Sequence, residues 1–345
     1  MQGRVGLNQR NFRAMKKTLL TGILLFLSAV PAPISADEKA QGFTALQADK
    51  AGADYGFQGE YAGKIRSNDT EVDLGLQVIA EGQGRFAWVA WVGGLPGAGW
   101  NGETPLRGAG ERQGDVVILK GDTGRGEVRG GSVSVYNMEN VRVAELSRVQ
   151  RMSPTLGRKP PEGAIVLFDG SSADEFEGGR LSDDKLLMQG CTSRKKLGSG
   201  ELHVEFLLPW MPNARGQGRG NSGVYLQGRY EVQVLDSFGL TGEQNECGGI
   251  YSISKPLLNM CLPPLAWQTY DVQFKAAQFG ADGKKQADGL ITVRHNGVVI
   301  HEQVKLTHAT TAAPVAEGAD PGPLYLQDHG NQVRYRNIWF NPAKP

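Results

Sequence analysis

From residue 164 onward, runs in which apolar and polar residues alternate are separated by Gly, Pro and Asn turns, the period-2 pattern of strands with one buried face. The clearest is Tyr230–Asp236, where Tyr230, Val232 and Val234 fall on one side and Glu231 and Gln233 on the other. Strands are also predicted at Ala164–Gly170, Leu186–Gln189, Glu201–Leu208, Thr269–Ala276, Leu290–His295, Val298–Gln303, Pro323–Gln327 and Val333–Phe340. Asn296-Gly297 between two of them is a strong hairpin signal. Short runs at Val72–Ala80, Arg85–Val92, Asp115–Lys120, Gly131–Tyr136 and Val141–Val149 mark further strands nearer the start. No long helical period occurs. The pattern predicts an all-β chain: a small β-rich domain over 37–150, a Pro- and charge-rich linker over 151–162, and a sandwich or jelly roll over 163–343.

The 48 glycines in 345 residues lack a collagen period and suit many tight turns. Lys plus Arg (37) nearly balances Asp plus Glu (36), and no basic run is interleaved with aromatics, so nucleic acid is not an expected partner. Residues 1–36 read as a signal peptide. Lys16-Lys17 precede the apolar run Leu19–Val30, and Ile34-Ser35-Ala36 ends in a small residue; Met15 could be the true start. The run is short for a membrane span, so the expectation is an exported chain, periplasmic or extracellular, with no span after processing. Cys191, Cys247 and Cys261 allow at most one internal bridge, with Cys247 and Cys261 the candidate pair.

Several motifs fail on context. Gly218-Arg-Gly220-Asn-Ser-Gly223 has the spacing of a dinucleotide loop, but a strand follows it where a helix is needed. His301-Glu302 lacks the second histidine of a zinc protease motif, since Lys305 stands there. Trp88, Trp91 and Trp100 read as core or as sugar-stacking rings.

Three strands carry polar rows: Glu201, His203 and Glu205; Glu231 and Gln233; Arg334 and Arg336. On one sheet face they would floor a cleft; otherwise they are ordinary solvent-facing alternation. The segment Leu326-Gln327-Asp328-His329-Gly330-Asn331 joins two apolar strands at a sheet end. His329 there is the histidine nominated for proton transfer, and Asp328 and Asp236 could orient it or bind a divalent cation.

These residues carry a resemblance to the 3-keto-disaccharide hydrolase domain family. The landmarks are Leu167-Phe-Asp-Gly170, Asn221-Ser-Gly-Val-Tyr225, Tyr230–Asp236, Trp267-Gln-Thr-Tyr270, Asn296-Gly297, Gly322–Gly330 and Arg334–Ile338. The resemblance implies a concanavalin A-like jelly-roll sandwich with a carbohydrate on its concave face. It also implies cleavage of 3-keto-glycosides by base-catalysed elimination and hydration. Glu231, His329 and Asp236 are then the catalytic candidates. Asn221, Gln233, Glu205, His203, Tyr251, Gln327, Arg334 and Arg336 are the candidates for binding substrate. A nicotinamide is not required, and a divalent metal could assist. Two other functions fit the same strands: a two-carboxylate glycoside hydrolase using Glu231 with Glu205 or Asp236, and a lectin-like binding module. The insertions 239–262 and 309–321, and the first β-domain, depart from the short family pattern.

Overall fold

In the computed structural model residues 44–67 and 70–344 are described; the targeting segment read from residues 1–36 lies outside them. The first part is a closed antiparallel barrel. Its strands are β1 (Gly59–Ser67), β2 (Thr70–Gly82), β3 (Arg85–Val92), β4 (Leu106–Gln113), β5 (Val116–Gly121), β6 (Gly124–Arg129), β7 (Ser132–Asn137) and β8 (Arg142–Val149). Each pairs with the next, and β8 returns to β1 with Val149 opposite Glu60, so the sheet has no free edge. Tyr61, Val78, Phe86, Val117, Val133 and Leu146 fill the interior.

The second part is a two-sheet sandwich. Its first strands are β9 (Ile165–Phe168), β10 (Phe176–Glu177), β11 (Leu187–Met188), β12 (Cys191–Leu197), β13 (Gly200–Leu207), β14 (Ser222–Leu226), β15 (Tyr230–Val234) and β16 (Trp267–Lys275). The rest are β17 (Gln278–Phe279), β18 (Lys285–Ala287), β19 (Gly289–His295), β20 (Val298–Leu306), β21 (Gly322–Leu326) and β22 (Arg334–Pro342). One sheet runs β10-β12-β21-β14-β15. The other runs β11-β22-β13-β16-β19-β20, with β9 alongside β22. Asn296 (φ 50°) and Gly297 (φ 81°) make the expected tight hairpin between β19 and β20. Val224, Val232 and Leu324 of one sheet meet Val204, Val272 and Tyr335 of the other in a single core.

Barrel and sandwich belong to one compact unit. Phe238, just beyond β15, packs among Ile79, Val89, Trp91 and Leu95 of the barrel. Trp91 and Trp100 therefore lie in or against packed apolar surface, their rings 4.8 Å apart edge to face. Arg151 forks onto Glu60 through Nε (2.7 Å) and Nη2 (2.6 Å), the bidentate geometry of a strong pair. Phe238→Ala should cost about 3 kcal/mol or more, seen as a lower urea midpoint for the whole chain. An unchanged midpoint would show that barrel and sandwich do not depend on this contact.

Residues 151–158 of the stretch 151–162 are not a solvated spacer; this part is bound to the fold. It lies across the outer face of the larger sheet, where Ser153 Oγ meets Thr269 Oγ1 (2.6 Å) and Thr155 Oγ1 donates to Asp271 (2.6 Å). Arg158 pairs with Glu201 (2.7 Å), and the Gly157 amide donates to Glu205 (2.5 Å).

Candidate functional site

The hairpin β14–β15 sets the site. Tyr225 stands opposite Glu231 and Gly223 opposite Gln233, and Tyr225 is also opposite Tyr325 of β21. Because side chains alternate, these residues share the outer face of the smaller sheet while Val224, Val232 and Val234 enter the core. Thr192 of β12, opposite Tyr325, completes a row Thr192–Tyr325–Tyr225–Glu231. A Cβ at residue 223 would collide with Glu231 Oε1, so glycine there leaves room for the carboxyl to lean over the sheet.

This face is enclosed rather than open. Residues 247–251 run beside β15, where Gln233 N and O bond to Gly249 O (2.9 Å) and Gly248 N (2.9 Å). Further along the same edge Thr310 Oγ1 accepts from the Glu231 amide (2.9 Å). The two insertions thus wall the edge strand, and Glu231 and Gln233 are only 2% and 1% exposed. Half-buried Tyr325, Tyr251, Gln327 and Gln217 surround them.

Glu231 Oε2 accepts from the Tyr225 hydroxyl (2.8 Å), which in turn accepts from Gln327 Nε2 (3.0 Å). Burial drives the carboxyl up to about 8, and the single Tyr225 bond only partly offsets it. Gln217 Oε1 links the amides of Asn221 (3.1 Å) and Gln233 (3.2 Å). Asn221 Oδ1 is buried without a hydrogen-bond partner. The arrangement is one carboxyl of near-neutral pKa, phenol hydroxyls and several carboxamides, groups that can exchange a proton and hydrogen-bond hydroxyl-rich ligands.

Of the residues nominated from sequence, Glu231, Gln233, Asn221, Gln327 and Tyr251 gather here. The others do not. His329 is exposed on the turn after β21 and makes no hydrogen bond to any described residue. Asp236 is buried against Arg219 (Oδ2 to Nε, 2.5 Å), whose Nη1 reaches Ala80 O of the barrel; its charge is committed to that joint. His203, Glu205 and Arg336 lie on the outer face of the other sheet, beneath the 151–158 segment. The expectation that three polar rows share a face fails because the rows belong to two sheets. Arg334, at the start of β22, bonds to Gln189 instead (3.0 Å).

His203 there is held between Asp271 (Nδ1 to Oδ1, 2.7 Å) and Glu205 (Nε2 to Oε1, 3.5 Å), stacked on Trp339. Burial lowers its pKa, but both carboxylates outweigh this and the net shift is upward. Burial likewise raises Glu205, yet bonds from His203, Asn337, Arg336 and the Gly157 amide bring it down to about 2. Every group is satisfied, which is how a structural clamp is built. Cys247 and Cys261 are free, buried thiols. Among the described residues no three His, Cys, Asp or Glu side chains are grouped to hold a metal ion, and no helix is long and apolar enough to cross a membrane.

Tyr225, Tyr325, Gln217 and Thr310 were not singled out from the sequence. Tyr225 was within reach, because the turn at Gln227–Gly228 fixes the register that sets it across from Glu231. Gln217 lies in the turn four residues before Asn221, and Tyr325 and Thr310 come from segments distant in the chain.

The family to which the second part of the chain matches is a carbohydrate-active one. More narrowly, residues 163–341 match the 3-keto-alpha-glucoside-1,2-lyase-like domain, and the chain belongs to that family. Three crystal structures of proteins from Parabacteroides distasonis ATCC 8503, each described as a "putative glycosyl hydrolase", are similar over 53% of this chain. The first is 32% identical with 85% of its own chain covered and a TM-score of 0.48. The others are 18% identical (95% covered, 0.40) and 16% identical (100% covered, 0.37). No curated protein matches the chain.

Proposed function

We propose that this protein cleaves glycosides bearing a keto group at sugar carbon 3, by elimination and then hydration, with Glu231 as the base. The carrying observation is the isolation of Glu231. Its carboxyl is raised to about 8 by burial, and among the described residues no ion pair neutralises it. A two-carboxylate glycosidase needs a second acid across the bond, roughly 5–9 Å away. The nominated partners are committed elsewhere, Glu205 on the other sheet and Asp236 to Arg219.

The keto group acidifies the hydrogen on carbon 2. Glu231 takes that proton, and the electron pair moves onto the keto oxygen as an enolate. When the enolate collapses, carbon 1 releases the aglycone oxygen, which regains a proton from protonated Glu231. Water then adds across the carbon 1–carbon 2 double bond, completing net hydrolysis. The Gln327 and Gln233 amides supply donors for the enolate, while the Tyr225 hydroxyl stays on Glu231. The chain's apolar run Leu19–Val30 with its flanking lysines and Ala36 makes export part of the same proposal.

The pH dependence follows in sign. The base form of Glu231 grows as pH rises through about 8, so kcat/KM for a 3-keto-glucoside should climb about tenfold per pH unit below that value and level off above it. A profile flat from pH 6 to 9 would remove Glu231 as the base. The deciding assay is product release: aglycone from a 3-keto-glucoside but not from its parent glucoside. Release from the parent would favour conventional hydrolysis, and binding of either without turnover would favour a lectin.

A further inference from the structure

Across the smaller sheet, the row next to Thr192–Tyr325–Tyr225–Glu231 contains Gln327 and Gln233 separated by Gly223, and Gly190 at its far end. Beside Gly190 two guanidinium groups meet on one neutral residue. Arg180 Nη2 donates to the Gln189 carbonyl (3.0 Å), and Arg334 Nη1 donates to Gln189 Oε1 (3.0 Å). Arg334 is 5% exposed, and its only other bond is to Val333 O (3.1 Å). Its Nε has no partner at all.

That arrangement is anomalous for this protein. Buried Arg219 is paired with Asp236, and half-buried Arg151 with Glu60. Buried Arg229 has no carboxylate but is served by Gln227 Oε1 and the carbonyls of Ala316, Gly318 and Asp320. Arg334 has neither solution, and a buried, uncompensated charge is costly. The Asp328 carboxylate stands beside this corner, against Gly190, but it accepts from its own turn at Gly330 N (2.9 Å) and forms no ion pair with a described residue. Burial and the neighbouring Arg180 both press Arg334 downward, in keeping with a missing anion.

We infer that Arg180 and Arg334 form an anion subsite at the Gly190 end of the site face, shaped for a carboxylate or sulfate group borne by the sugar ligand. Exposed Arg180 makes the first contact, and the Arg334 guanidinium behind it donates to the second oxygen. Gly190 (φ 83°) keeps the corner open: a Cβ there would crowd Asp328 Cβ (3.1 Å) and Oδ2 (3.3 Å), with Arg180 Nη2 just beyond at 3.6 Å. The inference rests on the proposed function only in assigning the anion to a sugar. Its test is binding, so failed turnover and a failed subsite are separate results.

Calorimetric titration of the full chain with glucuronate, glucose and inorganic sulfate decides it. Glucuronate should bind at least about tenfold more tightly than glucose, and the advantage should shrink as NaCl screens the pair. Sulfate binding as well as glucuronate would support a site for the anion itself; glucuronate alone would support a sugar-borne carboxylate. Arg180→Gln, on the surface, should fold normally and abolish the preference. Arg334→Gln should do the same while leaving the ligand-free melting temperature unchanged or higher, since it removes an unpaired buried charge. Equal affinity for glucuronate and glucose would overturn the inference. So would an Arg180→Gln variant that keeps the preference, or an Arg334→Gln variant with a clearly lower melting temperature.

Discussion

Glu231→Gln should lower turnover of a 3-keto-glucoside at least about 10²-fold and at the same time make the protein more resistant to unfolding at alkaline pH. The two effects have one cause. The folded chain holds the Glu231 proton up to about pH 8, whereas the unfolded chain releases it near 4.5. A group raised in this way gives stability that is full below the unfolded value and is lost as pH rises through the folded one. Between about pH 5 and pH 9 the wild-type protein therefore loses stability that the glutamine variant keeps, at most about 5 kcal/mol. Denaturant midpoints at pH 5 and pH 9, with rates at both, test the pair of statements. A variant that is inactive and also destabilised at pH 9 would make Glu231 a structural carboxyl. A folded variant with near-normal turnover would end its role as base.

The second large effect is on the opposite sheet. Glu205→Ala should cost about 3–5 kcal/mol, because it strands His203 and Arg336 and unties the Gly157 amide. In a domain of this size that is a fall of roughly 10 °C in melting temperature. Here the carboxylate is depressed, to about 2, so its contribution is present above the unfolded value near 4.5 and is lost as pH falls through about 2. The gap between wild type and variant should accordingly narrow from pH 5 towards pH 2. Wild-type stability retained at pH 6 would mean that the 151–158 segment is held by its other contacts alone. Replacing Glu205 thus separates clamp from catalyst: the fold should suffer first, and the chemistry only through it.

Period-2 alternation gave β13, β15, β16, β19, β20, β21 and β22 of the sandwich to within a few residues, because one buried face imposes that rhythm wherever a strand covers a core. It missed β1, β4 and β6 in the barrel. The sequence Leu106-Arg-Gly-Ala-Gly-Glu-Arg-Gln of β4 is rich in glycine and charge, and the strand is held by backbone bonds to β3 and β5. It missed β12 for a similar reason, since Arg194, Lys195 and Lys196 face solvent.

What the chain's own order determined is the all-β architecture, the β19–β20 hairpin, the family, and the placing of Glu231 and Gln233 on the face opposite Val232. Those follow from neighbours in sequence and from a rigid alternation. What only the tertiary structure decided is which polar rows meet. Glu205 and His203 resemble Glu231 in pattern, yet they lie on another sheet, because strand order within a sandwich is set by long-range packing that a local period does not encode. The depth of Glu231 is likewise a tertiary fact: Thr310 and the 247–251 segment, far away in the chain, exclude water from it, and that exclusion turns an ordinary glutamate into one that titrates near 8.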